Sequence, residues 1–182
     1  MTIGIRKPWH AAFALSALLL ACTKPPDQQQ IAAVDQLIAA TEAASLTLNE
    51  LSRARYAEAD SQRAADSARY AARFAQALRP EEARALGNQW VALNGAHAMA
   101  RDHERLLIEL IATAERLRAL RHDLATGAFD REQAAPLIAT EQERHAEMIG
   151  GVHAVIDNYR LLQQAWDRRD TVASYFAHAA TP

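Results

Sequence analysis

The chain is poor in the residues that punctuate or staple a fold. It has one cysteine, six glycines and six prolines in 182 positions, and aromatics make up 6% of it. A single cysteine, Cys22, rules out an intramolecular disulfide. So few turn formers and aromatics exclude an all-β architecture. No charge dominates either, with 20 basic and 22 acidic residues. Motifs are as scarce as turn formers. There is no G-x-S-x-G elbow, no S-x-x-K, no H-E-x-x-H, no C-x-x-C-H and no glycine-rich phosphate loop, so the common hydrolase, haem-attachment and nucleotide-binding signatures are missing. At 20.0 kDa the length suits one compact domain.

What is abundant is alanine, leucine, arginine, glutamate and glutamine, the best helix formers, with alanine letting backbones approach closely. Composition therefore predicts long packed helices.

Residues 1–21 read as an export signal: Arg6 and Lys7, an apolar run from Ala11 to Ala21, and small residues before a cut. A bilayer span needs about 20 apolar residues, so this run is too short. No later segment reads as apolar enough to cross either. The end of the run, Leu19-Leu20-Ala21-Cys22, resembles the lipobox of bacterial lipoproteins. The resemblance implies that Cys22 is the first mature residue and carries acyl chains, more than one of which stable anchoring requires. Thr23 stands where an aspartate would favour inner-membrane retention, so the resemblance implies an outer-membrane anchor on the periplasmic side. Residues 22–30, with the polar stretch Thr23 to Gln30, read as lipidated cysteine and flexible tether. A single folded domain is expected over 31–178, and 179–182 as a disordered tail.

Within that domain, three spans show helical periodicity. The first, 31–78, lacks glycine and proline and repeats through Ile31, Val34, Ile38, Thr41, Ser45, Leu48 and Ser52, then Tyr70, Phe74 and Leu78. The second, 81–125, follows Pro80 and the acidic pair Glu81-Glu82, and Gly127 stops it. Asp130 with Gln133 forms a capping-box signature for the third, 130–178. Each span would be about 70 Å long at 1.5 Å per residue. Matched lengths and short connections predict an all-α fold, an elongated antiparallel three-helix bundle. It becomes a four-helix bundle if Gly150-Gly151 or Asn94-Gly95 breaks a span. Arg79-Pro80 is a short loop, so the first span is expected to end a turn early.

Without residues 1–21 the chain has 18 basic and 22 acidic residues, with arginines interspersed among acids along each helix. That is a solvated, ion-paired surface and excludes nucleic acid as a partner. Arg116, Arg118 and Arg121 form the densest basic cluster.

Chemistry in a helical bundle would come from inward histidines and carboxylates: His97, His103, Glu141, His145 and His153. Glu141 and His145 share a helix face, and the segment superficially resembles the metal-binding helix of ferritin-like proteins. The glutamate expected three residues before the histidine is replaced by Gln142, and no second Glu-x-x-His occurs. His103, Glu141 and His145 are thus weak metal candidates, and no cofactor is expected. Trp90 and Trp166 fall at apolar phase and read as core. Tyr175 and Phe176 are placed to cap the bundle or meet a partner.

These readings predict a non-enzymatic, lipid-anchored helical bundle that serves as a binding, scaffold or assembly factor in the cell envelope. Its partners would be the membrane, through Cys22, and another envelope protein, with a homo-oligomer as a further possibility. One alternative is a metal- or haem-binding bundle. Another is a small-ligand or lipid-binding helical protein, which demands a sizeable apolar cavity where the alanine-rich faces suggest close packing.

Overall fold

A computed structural model describes residues 27–178. The export segment, Cys22, most of the tether and the 179–182 tail lie outside the described residues. All regular structure within them is helical: α1 (Gln28–Asn49), α2 (Arg53–Phe74), α3 (Pro80–Thr126), α4 (Arg131–Asp167) and α5 (Arg169–His178). The expected all-α class is observed, but there are five helices where three or four were expected.

The breaks do not fall at the glycines. Asn94-Gly95 lies inside α3 and Gly150-Gly151 inside α4. A glycine costs a helix about 1 kcal/mol relative to alanine, too little to interrupt a helix packed along its length. Gly151 instead lets α4 close on α3: a Cβ there would sit 3.2 Å from Leu106 Cδ2. Pro136 is likewise accommodated within α4. The first span parts at Glu50–Ser52, where the Ser52 N–H donates to the Tyr159 hydroxyl at 3.2 Å. The third parts at Arg168.

Helix ends follow local chemistry closely. The Asp27 side chain accepts from the Gln29 and Gln30 N–H groups at 2.9 and 3.2 Å, which starts α1 three residues before the expected Ile31. Asp130 and Gln133 form the reciprocal capping box. Gly127 ends α3 in the left-handed conformation at φ 73°. Helix α2 stops at Phe74, leaving a five-residue link before Pro80.

Cross-helix contacts fix the directions. Arg121 meets Asp35 and Arg118 meets Glu42, both at 2.5 Å, so α1 runs antiparallel to α3. Arg73 to Glu82 and Tyr70 to Trp90 give the same sense for α2 on α3. Arg116 to Glu141 and Leu106 to Gly151 give it for α4. Helices α1 and α2 thus follow one another along one side of the α3–α4 pair.

The interior changes character along α3. A column of buried residues at seven-residue spacing reads Glu82, Gln89, Ala96 and His103, then Leu110, Leu117 and Leu124. Around the leucines, Ile31, Val34, Ala134 and Ile138 close one apolar cluster, and Ala44, Leu48, Met148, Val152 and Val155 close the next. Around the polar end, Tyr56, Ala59, Tyr70, Leu86, Leu93, Leu162 and Val172 make a third, richer in aromatics and small residues.

Helix α1 is also long and apolar enough, by length and composition, to cross a membrane. This corrects the expectation that no segment after the leader would be. Here its face of Ile31, Val34, Thr41, Ala44 and Leu48 is buried in the bundle.

Candidate functional site

The polar end of the α3 column holds the bundle's unusual chemistry. Glu82 is 3% exposed and takes two hydrogen bonds from the Arg73 guanidinium, the Nε one at 2.8 Å. One turn pair further, Gln89 is equally buried and its Oε1 has no hydrogen-bond partner. His103 is 2% exposed, packs edge-on against Tyr56 at 5.7 Å between ring centroids, and neither ring nitrogen is hydrogen-bonded. Burial and then Arg53 lower its pKa, opposed by the nearby Leu48 carbonyl. Burial, with Tyr159 beside it, pushes the Tyr56 hydroxyl up to about 12. Burial and then Asp66 do the same to Tyr70. This cluster sits where α1 gives way to α2.

The other candidate metal ligands are placed apart from His103. Glu141 accepts from Arg116 Nε at 2.9 and 3.0 Å and from Arg144 at 3.1 Å. Burial alone would raise its pKa, but the hydrogen bonds and charges of Arg116 and Arg144 outweigh it and hold the carboxyl below its ordinary value. The pKa of His145 is lowered by burial, and its Nε2 has no partner. Among the described residues no three His, Cys, Asp or Glu side chains gather where they could hold a metal ion. His97 and His153, expected on inner faces, are exposed, because each lies off the buried column of its helix. The basic cluster is spent within the bundle: Arg116, Arg118 and Arg121 pair with Glu141, Glu42 and Asp35.

Of the aromatics, Trp90 and Trp166 are half-buried: the first lies against Tyr70 and the second under the Arg55 guanidinium at 4.5 Å. Phe176 caps that end by packing on Tyr70 at 5.0 Å, with Arg69 over its other side.

The feature that sequence reading missed is a groove on the side of α3–α4 that α1 and α2 do not cover. It encloses about 580 Å³, between Ala85, Gln89, Ala92, Gly95, Met99 and Asp102 of α3 and Asn158, Leu161, Ala165 and Arg168 of α4, with Thr171 and Val172 of α5 at one end. A second hollow of about 420 Å³ involves Glu109, Arg116, Arg144 and Met148. Gly95, Asp102, Glu109 and Arg116 fall at seven-residue intervals, so both hollows lie along one seam. Small side chains were expected to bring helices together. Here Ala85, Ala92 and Gly95 face no fourth helix, so they leave space instead. Val91 and Leu161, 72% and 58% exposed, stand at its edge.

Comparison with family models, curated proteins and solved structures found no match. The site is therefore read from its geometry. A half-open apolar trough of this volume, carrying one buried amide and one guanidinium, suits non-covalent binding of an elongated apolar molecule or segment.

Proposed function

We propose that this chain is a non-enzymatic binding protein of the bacterial cell envelope. In this reading it is an elongated antiparallel bundle of three rods, α1 with α2, α3, and α4 with α5. Acyl chains on Cys22 hold it to the outer membrane on the periplasmic side, and it works as a binding or assembly factor along the α3–α4 groove. The observation that carries the reading is that groove: it runs beside a continuous 47-residue helix and exposes Val91 and Leu161 at its margin. Apolar side chains gathered around a hollow mark binding surfaces more often than scattered ones do.

The test is a photoreactive residue placed at Val91 or Leu161 in the full chain in living cells, with Leu46, an equally exposed leucine of α1, as control. Specific adducts from the two groove positions only, lost when Cys22→Ser releases the anchor, are the expected result. Equal adducts from Leu46, or adducts that persist after release, would refute the reading.

A further inference from the structure

The groove's polar groups are not spread evenly, and their placement names an occupant. Counting seventeen residues along each helix from the Leu106–Gly151 contact brings Gln89 of α3 opposite Arg168 of α4. Gln89 is 97% buried by its 3% exposure and lines the groove with an acceptor that meets no donor. Leaving such an atom unsatisfied costs the folded chain, and a structural role would have supplied a partner. Arg168 also lines the groove, and among the described residues its guanidinium has no ion pair. The acids beside it are engaged elsewhere, Asp167 with Gln163 Nε2 at 3.0 Å and Asp170 with Arg169 at 3.9 Å. The first turn of α5 adds Thr171 and Val172 at this end, together with the positive end of a helix dipole. From there toward Met99 the lining is Val91, Ala92, Gly95, Leu161 and Ala165. The far end carries the opposite charge, Asp102, already beside Arg105 at 3.7 Å.

The geometry points to a single-chain amphiphile with an anionic head that also carries a hydroxyl. Its anionic group sits on Arg168, its hydroxyl donates to Gln89 Oε1, and its alkyl chain lies along the small-residue floor toward Met99. This deepens the binding reading proposed above and rests on it. A helix is a poor occupant. From Ala85 to Asp102 the trough is about 26 Å long, and a helix of about 10 Å diameter over that length would fill about 2,000 Å³, several times the volume present. The chain's own acyl groups are excluded as well. Gln89 lies about 52 Å along α3 from Leu124, beside which α1 begins. The five residues from Cys22 to Asp27 reach about 18 Å at most, and the amide-linked chains there bring no anionic head. The ligand is thus a separate molecule, with a monoacyl glycerophospholipid and a free hydroxy fatty acid as the two sources of this chemistry.

Membranes containing the full chain are incubated with three diazirine-bearing probes: a monoacyl phosphatidylglycerol, a 3-hydroxy fatty acid and an unsubstituted fatty acid. Adducts are mapped by mass spectrometry. The two hydroxylated probes, or one of them, are expected to label Val91–Met99 and Leu161–Ala165, and whichever labels more strongly identifies the source. Arg168→Glu should reduce labelling at least tenfold. Gln89→Leu should reduce it about tenfold, the worth of one buried hydrogen bond, while leaving the thermal midpoint equal or higher. A purely structural Gln89 would lower that midpoint. Equal labelling by the unsubstituted acid, or insensitivity to both substitutions, overturns the proposal. So does a covalent dimer of the chain, or a cross-linked partner protein, at Leu161 in place of lipid. If lipid labelling fails while groove-specific adducts from Val91 and Leu161 persist, the ligand is wrong and the binding reading stands; if both fail, neither stands.

Discussion

One helix, α3, runs through two interiors built on different terms. In its C-terminal half, Leu110, Leu117 and Leu124 point into aliphatic clusters closed by α1 and α4, and every central position is a hydrocarbon. In its N-terminal half the same column offers a carboxylate, an amide and an imidazole, and only the carboxylate has a partner. The apolar half gains stability with every side chain it buries. The polar half gives some of it up, since two buried groups there have lost water without gaining a hydrogen bond. It is also the half that carries the larger groove. The difference teaches that stability and the binding feature have been separated along one continuous element.

Several substitutions would break or sharpen this contrast. The largest effect is expected from Arg73→Ala, which strands a buried Glu82 and should cost about 3–5 kcal/mol; a shift in the chemical-denaturation midpoint reads it. In the apolar half Leu117→Ala opens a cavity at a fully buried site and should cost about 2–5 kcal/mol, measured the same way. If Leu117→Ala leaves amide protection around α2 intact while lowering it around α1, the two halves are separable units. A smaller effect is expected from pH. The folded-state pKa values of His103 and His145 lie below 6.5, so on acidification the unfolded chain takes up protons first. Stability is then full above about pH 6.5 and falls as pH drops toward the folded values. His103→Leu should flatten part of that slope in thermal melts between pH 7 and 5, and an unchanged slope would remove His103 from the account. Gln89→Leu should stabilise the empty protein by about 1 kcal/mol. Least of all, Arg118→Ala removes an ion pair between two half-exposed side chains and should change stability by at most about 1 kcal/mol.

The contrast also explains what could be read from the sequence. Helix ends set by neighbouring residues were legible: Pro80 with two acids, Gly127, and the Asp130–Gln133 box all act where they stand. The break at Glu50–Ser52 was not, because neither glycine nor proline marks it. Its exposed backbone N–H finds Tyr159 more than one hundred residues away. Gly150-Gly151 misled in the opposite direction, since packing against Leu106 gives it a use inside a helix. The candidate histidines were legible as residues but not as a set, because periodicity gives a face without giving its neighbour. His103 met Tyr56, while Glu141 met two arginines. The groove escaped for the same reason: alanine and glycine look alike in sequence whether they touch another helix or face an opening.

The order of the helices also sets an order of assembly. Helices α3 and α4 are neighbours in sequence joined by a tight capped turn, as are α2 and α3, and such hairpins close quickly because little chain must be gathered first. Helix α1 is different. It emerges first in synthesis, yet the partners that bury its apolar face, α3 and α4, come last, beyond the whole of α2. Until they arrive, the chain carries 22 residues apolar enough to enter a bilayer with nothing of its own to cover them. Nascent α1 is therefore the segment with most need of a chaperone.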